Sequence, residues 1–477
     1  MSITVVEQIF NNAKENPDKN AVIYSDNVFT YAELVRRIRH CACTLKREYD
    51  IERGAAVILG ANKNIDFISN YFACHLLGLT AIPLPTDTNE KRFDLITKKA
   101  EPKLILGMHD VSLIDSTPAD NDDMEFSFPS MDETADIVFT TGTTGEPKGV
   151  LLTHRNISTN AGNINTFIRN KNTDNELIFL PLSHSFGLGR LRCALSNCQS
   201  VVLLNSIMMI KQFFNLLDKY EINGFGMVPA NWALIHKMSK DALGKYADKL
   251  HYIEIGSAPM PIADKQLLCE LLPNTRICMH YGLTEASRCA FMEFHEDIEH
   301  LTTVGKASPN TDIRIFDENG TECPDDTEGE ICVSGNGVTP GYLGIPDSKD
   351  IHFGSYFRTG DWGCKNAEGY ITLKSRRKEL INIGGKKVSP LEIEAMLMEI
   401  EGVTDCACIG IPAPDGIMGE AVRAYIVSDT LKEEDLKKLR SRLAGKIESY
   451  KIPVEYRLID SIPKTSSGKV QRLMLKE

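Results

Sequence analysis

Apolar residues fall at helical spacing near the start of the chain, where Val5, Val6, Ile9, Phe10 and Ala13 mark one face of an amphipathic helix. Residues 21–24 read as a strand, and Phe29-Thr-Tyr-Ala-Glu-Leu34 as strand, turn and helix start. From residue 55 the pattern becomes regular. Residues 55–59 predict a strand, 66–77 a helix, 81–84 a strand, 90–100 a helix and 103–106 a strand. Strands that alternate with helices imply a parallel sheet covered on both faces.

A polar, acidic stretch at 107–135 interrupts the alternation, which resumes with a short apolar run at 137–139. Further strands are expected at 177–182, 201–204, 224–228, 252–255 and 276–279. Between 304 and 376 the helical spacing disappears, leaving short strands between Gly and Pro turns, as in a small antiparallel sheet or barrel. Residues 378–477 alternate again on a small scale. Ser389-Pro-Leu-Glu392 and Thr430-Leu-Lys-Glu433 each read as a capping box, and Leu436, Leu439, Leu443 and Ile447 line one helix face. The expected architecture is α/β. A large N-terminal domain, 1–377, holds parallel α/β sheets and a β-rich subdomain at about 301–376. A small α+β domain follows at 378–477.

Composition narrows the class of partner. The chain has 477 residues, 42% hydrophobic and 25% charged, as in soluble globular proteins of more than one domain. A net charge of −12 disfavours nucleic acid or an anionic membrane as a standing partner. The longest apolar stretch, 67–85, contains Asn70, His75, Gly78 and Pro83 and reads as core helix, turn and strand, not a membrane span. The N-terminus lacks a basic, apolar leader, which points to the cytoplasm. Thirteen scattered cysteines without a Cys-x-x-Cys pair read as buried reduced thiols.

The chemistry concentrates after residue 136. In Asp136-Ile-Val-Phe-Thr-Thr-Gly-Thr-Thr-Gly-Glu-Pro-Lys-Gly-Val150, glycines bring backbone N–H groups near an anion, threonine hydroxyls donate to it, and Lys148 adds charge. The spacing is not that of a P-loop, because Gly142 and Gly145 stand too close and Lys148 precedes Gly149. Four more segments follow in order: Gly256-Ser-Ala-Pro259, His280-Tyr-Gly-Leu-Thr-Glu285, Tyr356-Phe-Arg-Thr-Gly-Asp361 with Ser375-Arg-Arg-Lys378, and Ile462-Pro-Lys-Thr-Ser-Ser-Gly-Lys469.

Together these segments resemble the motifs of the adenylate-forming acyl-CoA synthetases, over essentially the whole chain. The resemblance implies that Thr140, Thr141, Gly142, Thr143, Thr144, Gly145 and Lys148 hold the phosphates of ATP. It puts adenine between Tyr281-Gly282 and the wall Gly256, Ser257, Ala258 and Pro259. Thr284 meets the α-phosphate, and Glu285 binds Mg²⁺. Asp361 and Arg376 take the ribose, Lys378 is the hinge, and Lys469 is the catalytic lysine. Gly384 and Gly385 border the pantetheine tunnel. Serine at 375 replaces the family's usual glycine. The implied reaction joins a carboxylic acid to a thiol in two half-reactions, with acyl-adenylate formed first and CoA acylated second.

Leu180-Pro-Leu-Ser-His-Ser-Phe-Gly-Leu-Gly189 resembles the segment bordering the acyl pocket, so His184 lines the carboxylate end or serves as a structural residue. No aspartate stands there for a substrate amine, which disfavours the alternative of an amino-acid-adenylating enzyme. The acceptor is CoA or the pantetheine of a separate carrier protein, and the acid itself is not named. Glu254 shares a strand face with Tyr252 and requires a partner, either a substrate group or a protein arginine such as Arg276. Trp232 and Met227 are pocket walls or core.

Overall fold

The computed structural model describes residues 3–119, 123–141, 147–346, 350–384, 386–414, 419–444, 446–464 and 470–475. The side chains of Thr141, Lys378, Lys387 and Lys437 lie outside that description. Two compact units emerge: residues 1–313 with 333–357, and residues 314–332 with 358–477.

The first unit is built on two sheets. One has nine strands in the order Lys306–Ala307, Ala286–Glu293, Arg276–Leu283, Tyr252–Ile255, Gly224–Met227, Asn175–Ile178, Ser200–Leu203, Asn20–Tyr24, Asn27–Thr30. Its middle is parallel and both edges are antiparallel. The other has six, in the order Gly341–Tyr342, Pro147–Thr153, Thr134–Thr141, Thr80–Leu84, Ala56–Gly60, Leu104–Leu106. Strand Thr80–Leu84 is buried along its whole length and apolar beyond Thr80, as suits a central parallel strand covered on both faces. Helix Tyr31–Tyr49 starts where the sequence says it should. Thr30 accepts from the Glu33 amide, and Glu33 reaches back to the Thr30 amide at 2.8 Å. Gly78 turns the chain at φ +67 between helix Ile65–Leu76 and strand Thr80–Leu84.

Under helix His154–Ile168 lies a buried polar knot. Asp136 accepts from Tyr71 at 3.1 Å, lies 3.1 Å from His75 Nε2, and pairs with Arg192. The His154 ring packs edge-on to His75, with centroids 5.0 Å apart, and neither of its nitrogens finds a partner among the described residues. Burial therefore pushes its pKa from 6.5 down to about 3. The unfolded chain takes up a proton near 6.5 that the folded chain refuses until about 3, so stability falls as the pH drops through that window. His154→Phe is expected to remove up to about 1.4 kcal/mol per pH unit of that loss. Urea unfolding of both proteins at about pH 5 and about pH 7 measures it, and equal pH dependence in the two would contradict it.

In the second unit, strand Tyr356–Lys365 pairs antiparallel with Ile371–Arg376, placing Asp361 opposite Arg376. A three-stranded sheet (Asp405–Pro412, Glu420–Val427, Glu455–Leu458) packs with helices Pro390–Met398 and Glu433–Leu443. Ser389 caps the first helix as expected. Leu436, Leu439, Leu443 and Ile447 are buried in the core. The capping box at Thr430 is not formed. Ser428 Oγ accepts from the Thr430 and Leu431 amides, and the helix begins at Glu433 with Asp435 accepting from the Lys432 amide. A serine two residues upstream thus competes for the turn that Thr430 was expected to open.

All thirteen cysteines are free thiols. Among the described residues no helix is long and apolar enough to cross a membrane.

Candidate active site

The phosphate-loop sequence lies between two antiparallel strands, Thr134–Thr141 and Pro147–Thr153, with Thr140 opposite Lys148 and Thr141 opposite Pro147. Gly142, Thr143, Thr144 and Gly145 lie outside the described residues. Strand Gly341–Tyr342 adds to the far side of Pro147–Thr153, pairing Tyr342 with Val150. The Tyr342 ring lies 5.2 Å from Lys148 Nζ, and its hydroxyl donates to Glu285 Oε1 at 2.7 Å. The Thr339 amide also donates to the Glu285 carbonyl at 2.8 Å. Lys148 and Glu285, far apart in sequence, therefore meet on one tyrosine. Sequence reasoning missed Tyr342, whose only signal was an aromatic residue after a Pro-Gly turn.

Tyr281 and Gly282 stand at the C-terminal end of strand Arg276–Leu283, where ligand sites of open α/β sheets form. Tyr281 is buried. A side chain at Gly282 would come within 2.5 Å of the Arg288 amide nitrogen, so only glycine fits. The neighbouring parallel strand, Tyr252–Ile255, delivers Gly256, Ser257, Ala258 and Pro259 at the same end. Ser257 sits at φ +75, and a methyl on Gly256 would fall 2.1 Å from the His280 ring. Thr284 and Glu285 follow, both half-buried.

His184 occupies the N-cap position of helix Ser185–Ser196 without a side-chain cap bond, and burial followed by the charge of Arg92 lowers its pKa. Behind it lies a buried charge cluster. Arg190 donates twice to Glu176, at 2.6 Å each, and once to Glu254 at 3.2 Å. Arg288 donates to Glu254 at 2.9 Å and to the Ser185 and Phe186 carbonyls. His280 Nδ1 lies 2.7 Å from Glu254. Burial alone would raise the Glu254 pKa, but Arg288, His280 and Arg190 outweigh it and hold the carboxyl well below the usual range. The partners of Glu254 are thus protein groups, though not Arg276, which turns outward to Glu296 and the Phe167 carbonyl. Trp232 and Met227 are fully buried core.

In the second unit Arg376 Nε lies 2.7 Å from Asp361 Oδ1 and Nη1 donates to the Thr359 carbonyl at 3.2 Å. Ser375 is buried, its hydroxyl turned to the Arg376 carbonyl. Lys378 lies in the short turn Arg377–Glu379, and Gly384 adopts φ +58, a conformation that glycine tolerates. Gly385 and Lys469 lie outside the described residues. The sequence reading gave no role to Arg472. It donates to both oxygens of Glu394, at 2.7 and 2.8 Å, and to Glu379 at 3.0 Å.

The model of the AMP-binding enzyme family matches residues 9–343, and that of its C-terminal domain matches 392–469. The chain belongs to the AMP-binding, adenylate-forming enzymes, of the acyl-CoA synthetase type. Oxalate–CoA ligase of Arabidopsis thaliana is 28% identical over 504 residues, covering 97% of this chain and 96% of that protein. The o-succinylbenzoate CoA synthetase MenE of Bacillus subtilis, solved with the acyl-adenylate OSB-AMP, superposes with a TM-score of 0.88 at 25% identity over 98% of each chain. It has also been solved with ATP and a magnesium ion. ATP-bound MatB of Rhodopseudomonas palustris gives 0.90 at 25% identity, over 100% of this chain and 98% of its own.

Proposed function

We propose that this chain activates a carboxylic acid with ATP, releasing pyrophosphate and forming an acyl-adenylate, and then transfers the acyl group to the thiol of CoA. The observation that carries the reading is the meeting of Lys148 and Glu285 on Tyr342. It joins a phosphate-loop cation to a carboxylate suited to a hard divalent cation, a pairing that would serve a polyphosphate bound with its metal.

Glu285 fits Mg²⁺ because its carboxylate is half-buried and one oxygen is steadied by the Tyr342 hydroxyl. Mg²⁺ held there would neutralise phosphate charge. Around it Thr140 to Lys148 take the β- and γ-phosphates, Thr284 the α-phosphate, and Tyr281 with Gly256 to Pro259 the adenine. Asp361, oriented by Arg376, takes the ribose hydroxyls. His184 lies at the carboxylate end. Lys469 supplies the charge that draws the carboxylate onto the α-phosphate. The 377–379 turn at Lys378 is assigned the hinge, and Gly384 with Gly385 the pantetheine passage.

Acid-dependent exchange of labelled pyrophosphate into ATP tests the first half-reaction. CoA or an acyl-carrier protein, added separately, tests the second. Thioester formed only on the carrier would move the acceptor assignment from CoA. Tyr342→Phe removes one hydrogen bond to a carboxylate and is expected to lower exchange roughly ten- to a hundredfold while raising the Mg²⁺ concentration needed for half-activity. Exchange at the wild-type rate would remove Tyr342 from the site.

A further inference from the structure

We propose that Arg472 is a positioning residue of the first half-reaction, holding the chain next to Lys469 and the end of the hinge turn as one piece. The proposal rests on the ligase reading, and in particular on Lys469 as the lysine of adenylation and on the 377–379 turn as the hinge.

Each arm of the Arg472 guanidinium reaches a different part of the second unit. Nε donates to the Cys408 carbonyl at 3.1 Å, on strand Asp405–Pro412. Nη2 donates to both oxygens of Glu394, on helix Pro390–Met398. Nη1 donates to Glu379, the last residue of the hinge turn, at 3.0 Å. A planar fork that meets three elements at once fixes its own orientation. Arg472 stands three residues after Lys469 in the chain. The chain on either side of 465–469 is also fastened. Lys464 bridges Val470 antiparallel, the Gln471 amide donates to the Pro463 carbonyl at 2.8 Å, and Lys464 Nζ donates to Asp405 at 2.5 Å. Of these fastenings, Arg472 alone also touches the hinge turn.

The turn is held from its other end as well. Arg377 Nη1 donates at 3.2 Å to Glu330, a buried carboxylate on strand Gly329–Gly335 that Arg358 also holds at 2.7 Å. Arg377 and Glu379 are thus anchored on different elements, with residue 378 between them. Ion pairs on both flanks confine a rotation to the backbone of residue 378. Such a rotation carries Glu379, Arg472 and the chain next to Lys469 together.

Magnitudes separate this role from a purely structural one. Arg472 and Glu394 are 10% and 11% exposed, and that buried pair seats the arginine in the fold. Glu379 is 26% exposed, and a pair that open adds little to stability. Misplacing a catalytic group by about 1 Å, in contrast, costs about a hundredfold in rate. The bond to Glu379 therefore bears on where Lys469 goes, more than on whether the chain folds.

Glu379→Gln removes this one ion pair and leaves the Glu394 and Cys408 bonds of Arg472 in place. It should lower kcat for acid-dependent pyrophosphate exchange about tenfold, with KM for ATP unchanged. Thioester formation from supplied acyl-adenylate should keep the wild-type rate, and the melting temperature should not move. Added to Lys469→Ala, it should lower exchange no further, because a group that acts through Lys469 then has nothing to position. Glu379→Asp keeps the charge and should recover part of the loss. Arg472→Lys cannot reach three acceptors at once and should show the same split with a larger loss. Should that variant fail to fold, Glu379→Gln decides. Exchange at the wild-type rate in Glu379→Gln, equal loss of both half-reactions, or a further loss in the Lys469→Ala background would each overturn the proposal while leaving the ligase reading in place. If Lys469→Ala itself exchanges normally, the lysine assignment falls and the proposal with it. If no acid supports exchange in the wild-type protein, the ligase reading falls.

Discussion

Replacing Lys469 with alanine is expected to lower acid-dependent pyrophosphate exchange by about a hundredfold to a thousandfold, the usual loss when one donor to developing charge is removed. Thioester formation from supplied acyl-adenylate should continue at close to the wild-type rate. The split follows from the chemistry of the two steps. In the proposed reaction, attack of one anion on another requires a cation at the α-phosphate and calls for no protein nucleophile. Attack of a thiol on the mixed anhydride has AMP already in place as leaving group and makes no such demand. Each half-reaction is measured separately, the second with synthetic adenylate and CoA. Equal loss of both would show that Lys469 serves the adenylate site as a whole.

The second large effect concerns stability. Glu254→Leu should cost about 3–5 kcal/mol, because it leaves Arg288 and part of Arg190 as uncompensated buried charge. Urea unfolding at neutral pH measures it. Adding Arg288→Leu should recover much of the loss, since an apolar pair of similar volume is often as stable as a buried ion pair. A double variant less stable than Glu254→Leu alone would show that Arg288 holds the Ser185 and Phe186 carbonyls for the fold's sake. The sign of the pH dependence is fixed by the depressed carboxyl. The Glu254 contribution is complete above the unfolded value of ~4.3 and fades as pH falls below it, so Glu254→Leu should flatten the acid limb of the stability curve.

Much of the architecture was readable because it is written in local patterns. The alternation from residue 55 predicts parallel sheets, and Asn175 to Leu203 and Tyr252 to Met279 pair in that sense. Ser389 was a recognisable cap because its partner amide lies three residues on, and the Thr30 cap has the same spacing. Thr430 failed because Ser428, just outside the window, turns the chain by taking the Thr430 and Leu431 amides, and the helix starts at Glu433 with Lys432 at its N-cap. What the pattern could not carry was pairing at long range. Glu254 needed a cation, but nothing local distinguishes Arg190 and Arg288 from Arg276, which is nearer in sequence than either and lies on the adjoining strand. Tyr342 was invisible for the same reason, since its meaning lies in a strand partner at Val150 and a carboxylate at Glu285. Positions such as Tyr281, Thr284 and Asp361 were assigned roles through resemblance and not through periodicity.

The quartet Glu176, Arg190, Glu254 and Arg288 has two positive and two negative members, all fully or nearly buried. Any single change in charge strands a partner, so a lineage that alters this part of the molecule must pass through a poorly folded intermediate or change two positions together. The four residues should be inherited as a block, and a variant that loses one of them should replace its charged partner as well.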